Sequence, residues 1–268
     1  PTANTQIYIS RSLSPYLNLS IEHHLLTKSP ADSTILFLYT NGPSVIIGRN
    51  QNPWVECNLP LLRSSPLSPS LVRRRSGGGA VWHDEGNVNY SVICPTANFD
   101  RDKHAQMVVR ALRRLGVKRA AVNARHDIVL LKPPSDSPST ADGTPHKNRT
   151  TKVSGSAYKL TRLRSLHHGT CLLNTPNLGE IGRFLKSPLR PYIKARGVDS
   201  VSSPIANVKI ANKDFEDTVA KAFGEMYEDV EPVTVGEEEG SVPEIRRGVQ
   251  EISSQSWIYD QTPQFLLS

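Results

Sequence analysis

The stretch Arg73-Arg74-Arg75-Ser76-Gly77-Gly78-Gly79-Ala80-Val81-Trp82-His83-Asp84 holds the densest chemistry in this chain. Glycine lacks Cβ, so it reaches positive φ and lets a ligand come close to the backbone. Successive exposed N–H groups in such a turn form a concavity that suits an anion. The arginines add permanent charge and forked donors that match phosphate or carboxylate oxygens. The stretch reads as a loop for an anionic, phosphate-bearing ligand. The alternative is a glycine hairpin turn with a solvated basic flank. No Gly-Lys-Ser/Thr closes it, so it is not a P-loop, and its glycine spacing does not fit the dinucleotide fingerprint.

A second candidate is Lys152, which follows a polar segment and enters the small residues Val153-Ser154-Gly155-Ser156-Ala157. Small neighbours leave room for a ligand beside the amine. Such a lysine can hold a phosphate or an acyl carbonyl as a point charge, or stabilise charge on a carbonyl under attack. As an edge-strand lysine it would only discourage aggregation. His83-Asp84 looks like half of a hydrolytic triad, but no serine sits in a nucleophile elbow. His167-His168 is either a pair of general bases or a structural turn. Cys171 is either a thioester-forming nucleophile or a packing residue at an apolar strand position between Thr170 and Leu172.

These residues need a frame. Residues 6–11 read as a strand, and Ser14-Pro15 opens a helix with Leu17, Ile21 and Leu25 on one face. Glu22, His23 and His24 also lie on that helix, and the neighbouring histidines read as surface or packing residues, not as a metal pair. The apolar run 34–39 reads as a strand covered on both faces. With Asn41-Gly42-Pro43 as the turn and 44–48 as the return, the two should form a hairpin. Residues 48–54 (Gly-Arg-Asn-Gln-Asn-Pro-Trp) are either site lining or a loop ahead of a helix capped by Asn52. Residues 87–94 alternate like a half-buried strand. A helix is expected over 102–115, with Met107, Val108, Ala111, Leu112 and Leu115 inward and Gly116 as its stop. A strand is expected at 127–131, then a mobile insertion at 132–151. The next strand, 166–174, is entered through a His-His-Gly turn. A short helix at 178–185, a basic linker at 187–204, an amphipathic helix at 214–227 and an acidic loop at 229–243 follow. The aromatic segment 254–265 must pack on the core.

A length of 268 residues suits one large domain, or one with a small appendage. The division expected is a catalytic domain over 1–228 and an extension over 229–268 that packs on it. The net charge of +7 suits acidic partners or an anionic ligand. The basic residues are scattered, which speaks against nucleic acid. No apolar run approaches the roughly 20 residues that span a bilayer, so no membrane partner is expected. Three cysteines (Cys57, Cys94 and Cys171) are an odd number without zinc spacing, which suits a reducing compartment and no metal site. The first residue is Pro1, so the chain is expected to be a trimmed form in which a removed targeting peptide would be invisible.

Four separated motifs together resemble the lipoate–protein ligases and lipoyltransferases. They are Ile47-Gly48-Arg49-Asn50-Gln51-Asn52-Pro53-Trp54; the Arg73 to Asp84 stretch with Gly86-Asn87 behind it; Lys152-Val153-Ser154-Gly155-Ser156-Ala157-Tyr158; and His167-His168-Gly169-Thr170-Cys171-Leu172-Leu173-Asn174. The resemblance implies an α/β fold of the α+β type, with a mixed, mainly antiparallel sheet flanked by helices, shared with biotin–protein ligases. It implies activation of lipoate or octanoate with ATP and Mg as lipoyl-AMP or its octanoyl equivalent. Transfer to a lysine of lipoyl domains in 2-oxoacid dehydrogenase subunits or the glycine-cleavage H protein would follow. Alternatives are a transferase using a preactivated donor such as octanoyl-CoA, a biotin–protein ligase-like enzyme, and a non-catalytic lipoyl-domain-binding module.

By position, the resemblance assigns catalysis to Lys152, which would touch both the acyl carbonyl and the phosphate. It assigns ligand binding to Arg49, Arg74, Ser76, Gly77, Gly78, Gly79, Ala80, Val81, Trp82, His83, Asn87, Asp127 and His168. Val45, Ile47, Val81 and Trp82 would wall the acyl slot. It further implies a monomer, a mitochondrial location inferred from function, and the absence of the small C-terminal accessory domain of full-length ligases.

Overall fold

The computed structural model describes residues 4–133 and 150–267; the insertion read at 132–151 lies, for 134–149, outside the described residues. From the N-terminus, β1 (Thr5–Ser10) leads into α1 (Pro15–Lys28), β2 (Thr34–Thr40) and β3 (Ser44–Ile47). Two short helices, α2 (Pro53–Glu56) and α3 (Leu59–Ser64), precede β4 (Ser70–Arg73), β5 (Val81–His83) and β6 (Asn87–Pro95). Then come α4 (Lys103–Arg114), β7 (Ala120–Val122), β8 (Ile128–Leu131), β9 (Thr150–Ser154), β10 (Ser156–Leu160) and β11 (Arg164–Leu172). The rest is α5 (Ile181–Phe184), β12 (Ile193–Ala195), α6 (Asn212–Gly224), β13 (Val233–Val235), α7 (Pro243–Ile252) and β14 (Phe265–Leu267).

A six-stranded mixed sheet in the order β10-β11-β6-β2-β1-β13 forms the body. Its β10 to β2 half is antiparallel, while β1 runs parallel to both β2 and β13. Side chains alternate across β2, as the strand period requires. Ile35, Phe37 and Tyr39 pack with Leu17, Ile21 and Leu25 of α1 and Ile245 of α7. Leu36 and Leu38 pack with α4 and α6 through Val108, Leu112, Phe215 and Phe223. The same two layers cover β6, which is buried along nearly its whole length rather than half-buried. The local signals for α1 and α4 hold: the Ser14 side chain accepts from Leu17 N at 3.2 Å with Pro15 in the first turn, and Gly116 takes φ +90° after α4. At the end of α4, Leu115 is only partly buried.

Pairing departs from the sequence reading in several places. The hairpin expected between β2 and β3 does not form. Both edges of β2 are taken by β1 and β6, so β3 leaves the sheet and sits between parallel β4 and antiparallel β5 in a second, three-stranded sheet. The 151–158 segment forms two strands. β9 joins β7 and β8 in a third sheet, while β10 beyond Gly155 joins the main one. There is no turn at His167-His168-Gly169; β11 runs straight through all three. A Cβ on Gly169 would overlap the Tyr90 ring on β6, so this glycine serves a close crossing inside a sheet. The acidic 229–243 segment contains β13 and leads into α7, whose Ile245 and Ile252 are buried.

Candidate functional site

The three consecutive arginines do three different things. An extended chain sends successive side chains to opposite sides. Arg73 and Arg75 accordingly face the C-terminal segment, and Arg74 faces the interior. Arg73 is fully buried and donates to the carbonyls of Gln51 (2.7 Å), Arg49 (3.1 Å) and Ile258 (2.5 and 2.9 Å) and to Thr262 Oγ1 (2.8 Å). It ties residues 257–262 to the turn after β3 and lines neither cavity described below. Arg75 pairs with Glu251 on α7 and lies 5.3 Å from the Trp257 ring. Arg74 donates to the carbonyls of Gly77 (2.5 Å) and Gly79 (2.9 Å) and to Ile46 O (3.2 Å).

That clamp shapes the glycine loop. With its carbonyls drawn to Arg74, the loop leaves the N–H groups of Gly77, Gly78 and Gly79 without an acceptor among the described residues. Gly78 holds φ +88°, a left-handed conformation that favours glycine. A Cβ on Gly48 would overlap the Gly78 carbonyl, so both glycines are needed where the loop crosses the end of β3. Gly78 and Gly79 line a cavity of ≈ 280 Å³. The loop thus turns unpaired amides toward this cavity, with one arginine rather than three behind it.

Lys152 stands on the wall between that cavity and a larger one of ≈ 820 Å³. A β-bulge aims it there: Ile128 pairs with Ser154 and Val129 with Lys152, leaving Val153 extra. The strand is held from its other side by Lys152 N donating to Pro204 O (2.8 Å) and Ala206 N donating to Lys152 O (3.1 Å). Lys152 Nζ lies 2.8 Å from Asp127 Oδ1. Asp127 is set by a tight turn in which Asn123 Oδ1 accepts from the backbone N–H groups of Arg125 (2.8 Å) and Asp127 (3.1 Å), with His126 at φ +63°. Arg125 Nε is a further 3.7 Å from Asp127 Oδ2. The second cavity has apolar walls from Trp82, Leu172, Leu178, Ile181 and Ile205. Trp82 is itself stacked on Phe184, with ring centroids 4.7 Å apart.

Away from Lys152, the first cavity reaches Leu19, Tyr39, Ile46, His83, Asn89 and His168. His168 Nδ1 lies 2.9 Å from Glu22 Oε2, and its Nε2 lies 2.8 Å from Ser76 Oγ. Glu22 also accepts from Ser91 and from Tyr39 (3.3 Å). Burial alone would raise the Glu22 pKa. The charge of His168 and the hydrogen bonds from His168, Ser91 and Tyr39 outweigh it and hold the carboxyl below its ordinary range. His168 joins Glu22 to Ser76, whose oxygen accepts from Arg74 Nε at 3.0 Å. A buried chain thus runs from Arg74 at the loop to Glu22 on α1. Burial, with the nearby charges of Arg74 and His168, lowers the His83 pKa to about 3, so that ring is neutral.

The structure brings Arg74, Gly78, Gly79, Ala80, Val81, His83, Asp127, Lys152 and His168 to the first cavity, and Trp82 to the second. Ser76 and Gly77 stand behind this lining and hold the loop to Arg74 and His168. Arg49 is not brought in: it lies 4.7 Å from the Trp257 ring and donates to Gln261 at 2.8 Å. Asn87 lies one strand step beyond and donates to Asn89 (3.2 Å), which takes the lining position. Val45 and Ile47 face a separate cluster with Trp82 and Leu172, while Ile46, paired with Val81, faces the first cavity. On β3 it is thus Ile46, and not Val45 or Ile47, that lines the first cavity, as strand alternation requires. Asp84 does not serve His83. It accepts from Trp82 Nε1 (2.9 Å), Gly86 N (3.0 Å), Asn177 Nδ2 (2.8 Å) and Thr175 Oγ1. Cys171 is fully buried, and burial pushes its thiol pKa far up, which suits packing. His167 faces the other side of the main sheet, stacked on Tyr158 at 4.7 Å.

Sequence reasoning missed Glu22, Tyr39, Asn89 and the 198–201 segment. Glu22 had a signal, since it falls at i+3 from Leu19 and four before Leu26, within an apolar stripe. The 198–201 segment had none; it lines the first cavity, with Ser200 Oγ accepting from Ala80 N at 2.9 Å.

Residues 14–226 match the lipoyl protein ligase A/B catalytic domain. The chain is 38% identical, over 283 residues, to a Schizosaccharomyces pombe protein provisionally named lipoate-protein ligase A, covering 97% of this chain and 72% of that one. It is 34% identical, over 268 residues, to lipoate-protein ligase A of Bdellovibrio bacteriovorus, covering 97% and 73%. In fold it is similar to P. falciparum LipL1 in complex with lipoate, with TM-score 0.75 at 24% identity over 97% of this chain and 75% of that one. It is also similar to a lipoate-protein ligase A bound with ATP, with TM-score 0.70 at 22% identity over 95% and 98%.

Proposed function

The chain is an enzyme of the lipoyl protein ligase A/B catalytic-domain family, and from that premise we propose that it attaches a lipoyl or octanoyl group, through an acyl-adenylate, to a lysine of a lipoyl-domain protein. The observation that carries this reading is the position of Lys152, paired with Asp127 at 2.8 Å and shared by both cavities. An acyl chain in the first cavity and a nucleotide in the second would meet at this amine. Proteins of this fold occur in complex with lipoate and bound with ATP, and an archaeal bipartite ligase belongs with its E2 lipoyl domain.

In this reading the acyl carboxylate attacks the α-phosphorus of ATP, accompanied by Mg, and pyrophosphate leaves. The amides of Gly78 and Gly79, which line the first cavity, receive phosphate oxygens. Lys152 neutralises the mixed anhydride and then the oxyanion formed as the acceptor lysine attacks the carbonyl. AMP leaves, the amide forms, and the attacking amine loses its proton. The apolar walls at Trp82, Leu172, Ile181 and Ile205 suit the face of an adenine.

The acceptor must approach the mouth near 183–196. This stretch carries Arg183, Lys186, Arg190, Lys194 and Arg196 and no acidic residue. Lys186 and Arg190 line the second cavity, and Lys194 and Arg196 have no carboxylate partner among the described residues. Such a rim suits an acidic acceptor domain. A mitochondrial location is part of this proposal and is supported by the acceptor class alone. The test is incubation with lipoate, ATP, Mg and an apo lipoyl domain, read by intact mass. A lipoyl mass increment on one acceptor lysine is expected. An increment only when lipoyl-adenylate is supplied would replace the ligase reading with a transferase, and none with either donor would end both.

A further inference from the structure

Few residues border both cavities, and among the described residues the polar side chains that do so are Lys152, Thr170 and Ser200. Lys152 supplies the amine already described. Thr170 Oγ1 accepts one hydrogen bond, from Gly155 N at 3.2 Å, which leaves its hydroxyl a choice of directions. Ser200 has no such choice. Its backbone is held from both sides, because Ser200 N donates to Oε2 of the buried Glu56 at 3.0 Å and Val198 N donates to Asn50 O at 3.1 Å.

Gln51, fully buried, then decides what the Ser200 hydroxyl can do. Gln51 Oε1 accepts from Gly48 N at 2.9 Å, and Nε2 donates to Val198 O at 3.1 Å. Turned over, the amide would set oxygen against a carbonyl and nitrogen against an N–H, so it has one orientation. The same Nε2 donates to Ser200 Oγ at 3.1 Å, and Ala80 N donates to it at 2.9 Å. Neither nitrogen can accept in return. A serine hydroxyl has two lone pairs and one hydrogen. Both lone pairs are therefore taken, and the hydrogen has no acceptor among the described residues. Cβ and the two donors fill three of the four directions about Oγ, and the hydrogen points along the fourth.

We infer that Ser200 is a further ligand-binding residue, which turns this hydrogen to the space the two cavities share and donates it to a phosphoryl oxygen of the acyl-adenylate. This deepens the lipoyl-transfer reading and rests on it for the identity of the ligand. Ser200 is only partly buried, and it borders both cavities. Its Oγ lies against the glycine loop, 3.2 Å from where a Cβ on Gly79 would stand. The phosphoryl oxygens belong beside that loop, and Ser200 extends the row of loop donors by a hydroxyl that replaces the Ala80 amide. A hydroxyl that accepts two hydrogen bonds is polarised by them and donates more strongly. A hydrogen bond to a charged oxygen is worth roughly tenfold in affinity or more.

The experiment follows single-turnover transfer from lipoyl-adenylate to an apo lipoyl domain over a range of adenylate concentrations. Beside it runs calorimetry with lipoate alone, which lacks the phosphoryl group. Ser200→Ala should raise the half-saturating adenylate concentration about tenfold and leave lipoate affinity within about twofold. Ser200→Thr, which keeps the hydroxyl, should return adenylate binding to within about threefold of wild type. Ser200→Cys keeps an atom for Ala80 N and Gln51 Nε2 to face but donates weakly; it should lose at least about threefold, and it carries the test if Ser200→Ala fails to fold. A serine that served only to hold the 198–201 segment would weaken both ligands when removed, since that segment lines the first cavity too. Undiminished adenylate binding in the folded Ala or Cys variant, or an equal loss for acid and adenylate, would overturn the inference. A wild-type chain that neither transfers nor binds lipoate would instead remove the functional reading beneath it.

Discussion

Replacing Lys152 by Met removes the cation shared by both cavities while keeping an unbranched side chain of similar length. Two unit charges about 4 Å apart interact by about 4 kcal/mol at an effective dielectric near 20. The Lys152 side chain is 22% exposed, and Asp127 at 2.8 Å already draws on its charge. A range of about 2–4 kcal/mol is therefore the appropriate scale, a loss of roughly 30- to 1,000-fold in rate. The charge matters most when the carbonyl oxygen becomes an oxyanion, so the loss should fall on transfer more than on acid binding. The assay is single-turnover transfer from preformed lipoyl-adenylate to an apo lipoyl domain, followed by mass, beside calorimetry with lipoate alone. Asp127→Asn keeps the charge but loosens its anchor, and a loss of about tenfold is expected. Arg125, 3.7 Å from Asp127, remains in the Lys152→Met variant and limits the effect on folding. Transfer within threefold of wild type in a folded Lys152→Met protein would refute the role given to this amine.

The interior should also declare itself against acid. Burial is the leading cause that lowers the pKa of His83 to about 3, of His104 to about 4, and of His167 well below 6.5. The unfolded chain therefore binds more protons than the folded one below the unfolded value of 6.5. Stability from these groups is complete above that pH and falls as pH drops toward the folded values. The slope should approach about 4 kcal/mol per pH unit for three protons. Urea midpoints at pH 7.5, 6 and 5 check this, and a flat profile would count against neutral buried imidazoles. Gly48→Ala should leave near-UV circular dichroism almost unchanged yet cut transfer by about 100-fold, because its methyl displaces the Gly78 carbonyl and with it the loop amides. Lys194→Glu/Arg196→Glu should raise the acceptor KM at least about tenfold at low salt and leave lipoate affinity alone. An unchanged acceptor KM would mean that the acceptor docks elsewhere.

What could be read from the sequence was local. The Ser14 cap, the Asn52 cap, the Gly116 stop and the apolar run of β2 are each decided within a few residues. Strand partnership is not decided locally. β3 reads as the return of a hairpin, but its partners lie beyond Ser70 and Val81, because β1 and β6 already occupy both sides of β2. β13 is three residues inside an acidic stretch and becomes a strand only because β1 offers it a parallel edge. α7 contains Gly248 and two arginines, which blur its pattern, and its packing partner α1 is over 200 residues away in sequence.

The site divides the same way, and the arginines show why. Residue type identified Arg73, Arg74 and Arg75 as one basic cluster. Strand alternation already forbids that, since neighbours on an extended chain cannot all face one ligand. The sequence lacks only which face is which, and that depends on the 257–262 turn lying over Arg73. Arg74, left on the inner face, spends its donors on loop carbonyls rather than on an anion, and so frees the amides of Gly77, Gly78 and Gly79. The charge acts at one remove. Removing it should therefore disorder the loop before it weakens any direct contact, so Arg74→Lys, which keeps the charge but loses the fork, should behave like a loss of the residue. If Arg74→Lys transfers at the wild-type rate, the arginine is a counter-charge after all and the clamp is incidental.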